Sequence, residues 1–406
     1  MPAAATDDAL RLRTVGALAG FYVASFAVLG VYMQFFPVWL QDARGCSAAD
    51  VTQVLTGQVI ARTIAGPLWA RRVDASGHPR RVLRLLAVTS VVAFATFLLA
   101  HDKLALLLCS TLFGLCYPPM HPILDALTMR TCTPLGVSFG RVRIWGSVAF
   151  LTTIVAVGVA LPGLNGDAAA RAAAAPWVYG ITLLALCGTV AASITLPDPR
   201  AEPARRAPLR ELLSSGWFLV FLIGAGLIQG SHAAYYNLST LHWRDHGVGA
   251  DRASVLWAEG IVAEILLFAI ARRALQDWRP TTWLLLGAVG AVVRWVVLAG
   301  TTSVPLLLLT NWLHAASFGC TFLGSLQFIQ RRVAYDRHAS AQGLLGAACS
   351  GVFTALGALL AGQLYERSPA QAFLAMAAMA GAGAIAIAVL RHRGTAVVAA
   401  GEPSRS

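Results

Sequence analysis

Pro197-Asp-Pro-Arg-Ala-Glu-Pro-Ala-Arg-Arg-Ala-Pro-Leu-Arg-Glu-Leu-Leu213 is a polar, proline-rich stretch in an otherwise apolar chain. Such a composition is typical of a linker. On each side of it we count six apolar runs of about 20 residues, the length that crosses a bilayer as a helix. The sequence therefore predicts an all-α membrane protein of twelve transmembrane helices in two six-helix bundles, at 1–196 and 214–406, joined by a cytoplasmic linker at 197–213. The predicted spans are 16–40, 50–73, 81–100, 104–129, 139–161, 176–196, 214–243, 252–273, 281–300, 304–331, 339–365 and 369–391.

The composition supports this prediction. Of 406 residues, 57% are hydrophobic and only 12% are charged, whereas about 25% of the residues in soluble domains are charged. With the N-terminus placed in the cytoplasm, 22 of the 31 lysines and arginines fall on cytoplasmic segments, six on the opposite loops and three within spans. This bias predicts a protein of the bacterial-type cytoplasmic (inner) membrane with both termini cytoplasmic. The net charge of +12 then meets anionic lipid headgroups, and we expect no nucleic-acid partner.

Six charged side chains lie more than three residues from either end of a predicted span, and these are the first candidates for function. An isolated charge at the bilayer centre costs about 2.5 to 3.5 kcal/mol on insertion scales. The six must therefore be paired or hydrated, as in a bundle of helices around a polar cavity, and such a cavity in a membrane is typical of transport. They are Arg62, Asp125, Arg143, Glu259, Glu264 and Arg294.

The seven cysteines form no Cys-x-x-Cys pair, and most of them fall within spans. They are typical of small buried apolar residues rather than of disulfides or metal ligands. We expect no metal site and no cofactor.

Asp125 and Arg143 are each nine residues from Pro134, so a hairpin that turns at this proline places them at the same depth on spans 4 and 5. A carboxylate and a guanidinium lower each other's burial cost, and a pair that exchanges partners with a substrate makes a binding element. The alternative is a permanent structural ion pair near the cytoplasmic rim.

Arg62 lies twelve residues inside span 2, about 18 Å along the helix and hence near mid-membrane. A guanidinium at that depth offers a fork for an anionic substrate, and a carboxylate is its natural bidentate partner. The alternative is an arginine that packs helices by binding backbone carbonyls. Aromatic residues in membrane helices are mostly packing or interfacial anchors, but some would form the walls of a site. The candidates are Tyr22, Trp145, Tyr235, Tyr236 and Trp257.

Span 4 contains Tyr117-Pro-Pro-Met-His-Pro122, with three prolines in the interior of a helix. The helix must kink or unwind there, which is tolerated at membrane depth only against protein or cavity water. His121 and Asp125 also form a His-x-x-x-Asp pattern known from acyltransferases, where the histidine acts as base. A polytopic acyltransferase is therefore an alternative to transport, although no acyl-carrier or cofactor site accompanies the pattern.

Span 5 begins with Phe139-Gly-Arg-Val-Arg-Ile-Trp-Gly-Ser-Val148, and span 1 ends with Phe35-Phe-Pro-Val-Trp-Leu-Gln-Asp42. Both segments resemble those of lactose permease and its relatives within the major facilitator superfamily. The interval of 18 residues between Asp125 and Arg143 also equals that between the family's span-4 acid and span-5 arginine, which bind sugar hydroxyls there. The resemblance implies two six-helix halves, alternating access, and a substrate site between the halves near mid-membrane.

Other segments resemble the phenylpropionate permease branch of the same family. They are Val59-Ile-Ala-Arg62 on span 2, Gln229-Gly-Ser-His-Ala-Ala-Tyr-Tyr236 on span 7, Val262-Ala-Glu264 on span 8 and Val293-Arg-Trp295 on span 9. The likeness runs almost end to end. It implies a small aromatic acid such as 3-phenylpropionate as the substrate, with its carboxylate held by the span-2 arginine.

The chain departs from the lactose permease pattern on span 10. Arg294 and His314 match the family's span-9 arginine and span-10 histidine, but Asn311 and Ser317 replace the lysine and glutamate around that histidine. Proton coupling therefore requires another carboxylate, and span 8 supplies the remaining acids within the spans of the second half.

Glu259 and Glu264 are these acids. They are five residues apart and point about 140° from one another, so we expect only one to face a cavity. Glu264 carries the family match and is the predicted proton carrier, with Arg294 and His314 exchanging the proton. Interhelical hydrogen bonding is the alternative role for either glutamate, and a satisfied structural imidazole is the alternative for His314 and His232.

The connection between spans 2 and 3 is Gly66-Pro-Leu-Trp-Ala-Arg-Arg-Val-Asp-Ala-Ser-Gly-His-Pro-Arg-Arg81. It resembles, with stretched spacing, the superfamily's loop signature in which a glycine, an aspartate and a basic pair lock the cytoplasmic gate. A role only in orienting the protein is the alternative. The predicted gating residues are Gly66, Arg71, Arg72, Asp74, Arg80 and Arg81.

We therefore predict a monomeric secondary transporter, not an enzyme, that carries a small organic anion together with protons by alternating access. The alternatives are a proton symporter for a sugar or nucleoside and a proton-driven exporter of the same fold. The predicted substrate-binding residues are Tyr22, Arg62, Asp125, Arg143, Trp145, His232, Tyr235 and Tyr236.

Overall fold

The structure is a computed structural model that describes residues 2–199, 209–274, 278–334 and 337–399. These residues are helical and include no strand, which confirms the all-α prediction for the described part of the chain. Residues 200–208 of the predicted linker lie outside the described residues.

Eleven helices among the described residues are long and apolar enough to cross a membrane. Ala48–Ser76 is a helix that contains the predicted span at 50–73, but it is not one of the eleven. Its threonines, glutamines and arginines lower its mean hydropathy below that of the others. The membrane-protein class is thus supported, and the count of twelve stays a prediction.

Contacts divide the chain into two compact units. Unit 1 comprises Met1–Ala204 and Asn237–Val255, and unit 2 comprises Arg205–Tyr236 and Leu256–Ser406. A short segment of the second half therefore belongs to unit 1. The predicted domain boundaries stay a prediction.

The first half of the chain consists of seven helices. They are α1 (Pro2–Arg44), α2 (Ala48–Ser76), α3 (Pro79–Ala95), α4 (Lys103–Cys116), α5 (Met120–Cys132), α6 (Phe139–Ala160) and α7 (Ala168–Ile194). Within unit 1, α1 packs against α6 and α7, α2 packs against α4, and α3 packs against α7 and α4.

The second half consists of shorter and more interrupted helices. They are α8 (Leu209–Leu213), α9 (Gly216–Gly230), α10 (Ala233–Asp245), α11 (Ala250–Ala274), α12 (Pro280–Gly300), α13 (Val304–Asn311), α14 (Thr321–Arg332), α15 (His338–Gly346), α16 (Thr354–Arg367) and α17 (Pro369–Ala399). Two π-helical stretches, Ala315–Cys320 and Ala347–Phe353, directly precede α14 and α16. Within unit 2, α12 and α9 both pack against α17.

Local sequence signals fix where several helices begin and end. Ser47 and Asp50 form a capping box at the start of α2, and Gly77 ends that helix with φ of 67°, a left-handed conformation that glycine adopts without strain. Asp102 and Asp167 cap α4 and α7 by accepting from the backbone N–H three residues on, each at 2.9 Å.

The predicted break in span 4 is present, because α4 ends at Cys116 and α5 begins at Met120. Pro119 has no N–H, so the carbonyl of Leu115 lacks its usual helical donor. That carbonyl instead accepts from Trp69 Nε1 of α2 at 2.8 Å. The proline thus exchanges a bond along one helix for a bond between two helices.

Stacked aromatic rings form the core of unit 1. Tyr32 stacks on Phe36 with centroids 4.6 Å apart, Phe36 stacks on Trp39 at 5.1 Å, and Phe94 stacks on Tyr179 at 4.9 Å. Close packing of this kind, rather than the hydrophobic effect, holds helices together in lipid.

Charged residues hold the segment Asn237–Val255 within unit 1. Asp42, at the end of α1, accepts from Arg171 Nε at 3.3 Å and from Arg244 Nη1 at 3.1 Å. Gln41 Oε1 also accepts from Arg244 Nη2, at 2.6 Å. The side chain of Asp42 is only 10% exposed, so one carboxylate binds two guanidinium groups in a mostly buried setting.

A close helix crossing accompanies this ion network. Ser254 of α11 accepts from Gln34 Nε2 of α1 at 2.8 Å. A Cβ atom on Gly158 of α6 would lie 2.2 Å from Ser254 Oγ and 2.8 Å from the carbonyl of Ala250. No residue larger than glycine fits at position 158 without separating α6 from α11.

Candidate functional site

Two polar clusters, one in each unit, contain seven of the twelve residues predicted to bind substrate or to carry protons. The Asp125 cluster of unit 1 consists of Tyr22, Phe26, Asp125 and Arg143. The Arg294 cluster of unit 2 consists of His232, Glu264, Arg294, His314 and Ser317.

The structure brings Asp125 and Arg143 together across the α5–α6 hairpin, although only loosely. Arg143 Nε lies 3.7 Å from Asp125 Oδ1, which is too long for a hydrogen bond. The same oxygen accepts from the hydroxyl of Tyr22 at 2.6 Å. The side chain of Asp125 is 40% exposed and that of Arg143 is 30% exposed. Arg143 therefore keeps donors free for a ligand, while the tyrosine fixes the carboxylate.

Phe26 and Gly146 determine the position of the Arg143 guanidinium. Neither residue is among the site residues predicted from the sequence. The guanidinium carbon lies 4.0 Å from the centre of the Phe26 ring and 5.4 Å from that of Tyr22, so the cation rests on aromatic faces. A Cβ on Gly146 would lie 2.9 Å from the Phe26 ring and 3.0 Å from Arg143 Nη1. The second glycine of the Phe139–Val148 string was the available signal for this contact.

Arg62 and Trp145 occupy different situations. Arg62 is partly buried on α2. The positive charges of Arg62 and Arg143 both interact electrostatically with the imidazole of His121. Trp145 is 50% exposed and follows Arg143 by two residues, about 200° round the helix. The ring of Trp145 therefore does not join the Asp125 cluster.

Arg294 is fully buried at the centre of the second cluster. Its Nη1 donates to His314 Nδ1 and to Ser317 Oγ, each at 3.1 Å, and its Nη2 donates to Asn311 Oδ1 at 3.1 Å. Its guanidinium carbon also lies 4.6 Å from the centre of the Tyr235 ring. The three hydrogen-bond partners are neutral, so none of them cancels the buried charge.

Glu264 lies beside the imidazole that accepts from Arg294. Because a guanidinium only donates, His314 Nδ1 must accept and the ring proton must sit on Nε2. His314 Nε2 lies 3.6 Å from Glu264 Oε2. The imidazole of His314 therefore lies between the guanidinium of Arg294 and the carboxylate of Glu264. Glu259, five residues earlier, instead interacts electrostatically with Tyr235.

His232 extends this network to the break between α9 and α10. Its Nδ1 lies 3.1 Å from the carbonyl of Gln229 and 3.3 Å from that of Ile228, so Nδ1 carries the proton. Its Nε2 therefore accepts from Ser317 Oγ at 3.1 Å. The sequence predicts an unbroken span 7, because no proline marks this break. Trp295 Nε1 donates to the hydroxyl of Ser231 at the break, at 2.9 Å.

Tyr235 and Tyr236 flank the Arg294 cluster. Tyr235 lies 4.8 Å from the Trp257 ring, and Tyr236 stacks on His232 at 5.8 Å. Both tyrosines thus pack around the polar network, as expected for the aromatic wall of a site or for packing residues.

The predicted gating residues lie around the end of α2 and the start of α3. Arg71, Arg72 and Arg81 are exposed, whereas Gly66 and Asp74 are partly buried. Arg80 differs from the other arginines, because its Nη1 donates to the carbonyl of Leu196 at 3.3 Å and its backbone N–H donates to Asp198 at 3.2 Å. This arginine therefore joins the start of α3 to the segment after α7.

Comparisons with known proteins agree with the geometry. The sequence profile described as the MFS_1 like family matches residues 16–375. The chain is 29% identical over 374 residues to a probable 3-phenylpropionic acid transporter of Escherichia coli (strain K12), covering 89% of this chain and 94% of that protein. It is 24% identical over 353 residues to a maltose permease of Geobacillus stearothermophilus, covering 86% of each chain. A crystal structure of a variant of the nucleoside transporter NupG matches with a TM-score of 0.80 at 15% identity, covering 93% of this chain and 99% of that one.

Proposed function

The chain belongs to the MFS_1 like family, its relatives are transporters and not enzymes, and we propose that this MFS-type transporter carries a small aromatic acid together with protons. Alternating access is the proposed mechanism. The proposed setting is the bacterial inner membrane, with a monomeric protein and both termini in the cytoplasm.

The observation that carries the substrate proposal is the loosely paired Arg143 on an aromatic platform. Its guanidinium lies over Phe26 and 3.7 Å from Asp125, so it can bind a carboxylate without first leaving a tight ion pair. Arg62 adds a second guanidinium group, which interacts electrostatically with the neighbouring imidazole of His121, as Arg143 does. Guanidinium groups beside aromatic rings suit an aromatic carboxylate. The name of the Escherichia coli relative supports the same substrate class.

The Arg294 cluster supports the proton-coupling proposal. Glu264 is only 20% exposed and lies beside His314, which in turn accepts from a fully buried arginine. Protonation of Glu264 would remove the negative charge beside His314, and we propose that this protonation favours binding of the organic anion. A proton and an anion would then be carried together, because each favours the presence of the other.

Uptake into proteoliposomes tests this proposal. Purified protein should accumulate 3-phenylpropionate when an inward proton gradient is applied, and a protonophore should stop accumulation. Glu264→Gln should abolish gradient-driven uptake while retaining substrate binding. Glu259→Gln is the matched control and should leave gradient-driven uptake in place. Undiminished gradient-driven uptake by Glu264→Gln would exclude the assigned coupling.

A neutral substrate is the second candidate, because maltose and nucleosides are named for relatives of similar sequence or fold. Competition separates the two classes. Aromatic acids should displace labelled 3-phenylpropionate, and Arg62→Gln should weaken their binding. Neutral sugars or nucleosides that compete more strongly than aromatic acids, with no effect of Arg62→Gln, would favour the second candidate. Accumulation driven by an oppositely directed gradient would instead identify an exporter.

A further inference from the structure

His121 is a buried polar residue that the proposed transport chemistry does not use. It follows the helix break in the sequence Pro118-Pro-Met-His-Pro122. Pro122 has no N–H, so the carbonyl of Pro118, four residues earlier, cannot receive the usual helical hydrogen bond. That carbonyl instead lies 3.3 Å from the backbone nitrogen of His121 and 3.3 Å from its Nδ1.

This contact fixes the tautomer of the imidazole. A carbonyl oxygen only accepts, so Nδ1 carries the proton and Nε2 presents a lone pair. Nε2 is buried, and no donor among the described residues reaches it. The rings of Phe26 and Tyr117 stand edge-on to the imidazole, at centroid distances of 5.1 Å and 5.2 Å. A buried acceptor without a donor is unfavourable, and native proteins retain few such groups.

The unfilled acceptor lies on the same side of α5 as the Asp125 cluster. His121 and Asp125 are four residues apart, so their side chains share one face of the helix. Phe26 contacts both the imidazole of His121 and the guanidinium of Arg143. Arg62 and Arg143 both place positive charge near the imidazole. A cationic donor such as an ammonium group would be repelled there, whereas a neutral hydroxyl would not.

We propose that His121 is a specificity residue that accepts a hydrogen bond from a hydroxyl group of the substrate. The preferred substrates are then hydroxylated aromatic acids, held by their carboxylate at the arginines and by a ring hydroxyl at His121 Nε2. This proposal rests on the proposed function and narrows its substrate class. The residue as a whole is partly exposed, whereas its Nε2 is covered, so the proposal requires that neighbouring side chains move when the substrate binds.

Binding measurements on the purified full chain test this inference. Dissociation constants are measured for 3-phenylpropionate and for its ortho-, meta- and para-hydroxylated derivatives. One neutral hydrogen bond to a buried acceptor should make at least one of these isomers bind about tenfold more tightly than the parent acid. His121→Phe keeps an aromatic ring without the acceptor and should bring this ratio to about one, whatever its effect on the parent acid. His121→Gln keeps an acceptor and should retain part of the preference.

His101→Asn is the matched control, because His101 is exposed in the loop before α4, and it should leave the ratio unchanged. A wild-type protein that binds 3-phenylpropionate without preferring any hydroxylated isomer would overturn the inference and leave the proposed function intact. A preference that persists in His121→Phe would do the same. If His121→Phe does not fold, the ratio of dissociation constants measured for the wild type and for His121→Met decides whether the inference holds. Failure of every aromatic acid to bind the wild type would instead overturn the proposed function.

Discussion

The charge of Arg294 should be energetically coupled to that of Glu264 across the imidazole of His314. Arg294 Nη1 is 3.1 Å from His314 Nδ1, and Glu264 Oε2 is 3.6 Å from His314 Nε2. With the width of the imidazole included, the two charges lie at most about 9 Å apart. At an effective dielectric constant of about 20, their attraction is about 2 kcal/mol.

A double-mutant cycle measures this coupling. Arg294→Gln alone should lower the free energy of unfolding by about 3 to 5 kcal/mol, because a buried ionic network loses one partner. Glu264→Gln alone should lower it by about 1 to 2 kcal/mol, since Glu264 is partly exposed and its contact is long. The double variant should be about 2 kcal/mol more stable than the sum of the two losses predicts, because it leaves no uncompensated charge. Unfolding by sodium dodecyl sulfate in mixed micelles provides the four free energies.

The matched control pairs Arg294→Gln with Glu211→Gln. Glu211 is 54% exposed and bonded to Arg337 at 2.6 Å, so its loss should add to that of Arg294 without coupling. Lowering the pH until Glu264 is protonated should also remove the coupling, because a neutral carboxylic acid does not attract a guanidinium. Additivity within about 0.5 kcal/mol for Arg294 and Glu264 at neutral pH would refute the reasoning.

Three further predictions concern other parts of unit 1. Gly158→Ala should destabilise the protein by about 1 to 3 kcal/mol through overpacking. Adding Ser254→Ala to this variant should restore part of the lost stability. Equal melting temperatures of the single and double variants would contradict this expectation. Asp42→Asn should cost about 1 to 3 kcal/mol, because two guanidinium groups lose the negative charge of the carboxylate that they share. The exposed Asp245→Asn should change stability by less than about 0.5 kcal/mol. Burial raises the pKa of Cys46 to about 11, so alkylation of a variant that keeps only this cysteine should accelerate about tenfold per pH unit from neutral pH up to that value; a rate that levels off near pH 8.5 would contradict the shift.

Features governed by local chemistry were predictable from the sequence. Helical rise and a turn at Pro134 place Asp125 and Arg143 at the same depth, and the structure brings them to within 3.7 Å. The prolines of span 4 lack the N–H groups that a helix needs, and the helix breaks at that point. In both cases the cause lies within a few turns of one chain segment.

Features that depend on distant contacts were not predictable. Tyr22, which holds Asp125, is 103 residues away from it, and Ser317, which joins His232 to Arg294, is 85 residues from His232. The break at Ser231 has no proline, and the hydroxyl at that position accepts from Trp295, 64 residues away. A single sequence does not reveal such pairings. Tyr22 and His232 were therefore predicted as site residues without their partners Asp125 and Ser317.

His121, His232 and His314 show how such neutral contacts decide which hydrogen bonds a charged site can make. The proton of His121 and that of His232 are both placed on Nδ1 by backbone carbonyls next to a helix break, whereas that of His314 is placed on Nε2 by Arg294. His314 therefore offers a donor toward Glu264, and His232 offers an acceptor that Ser317 fills. His121 offers an acceptor that no described residue fills. Among these three, only His121 still needs a partner from outside the chain, and the tautomer fixed by Pro118 requires that partner to be a hydrogen-bond donor.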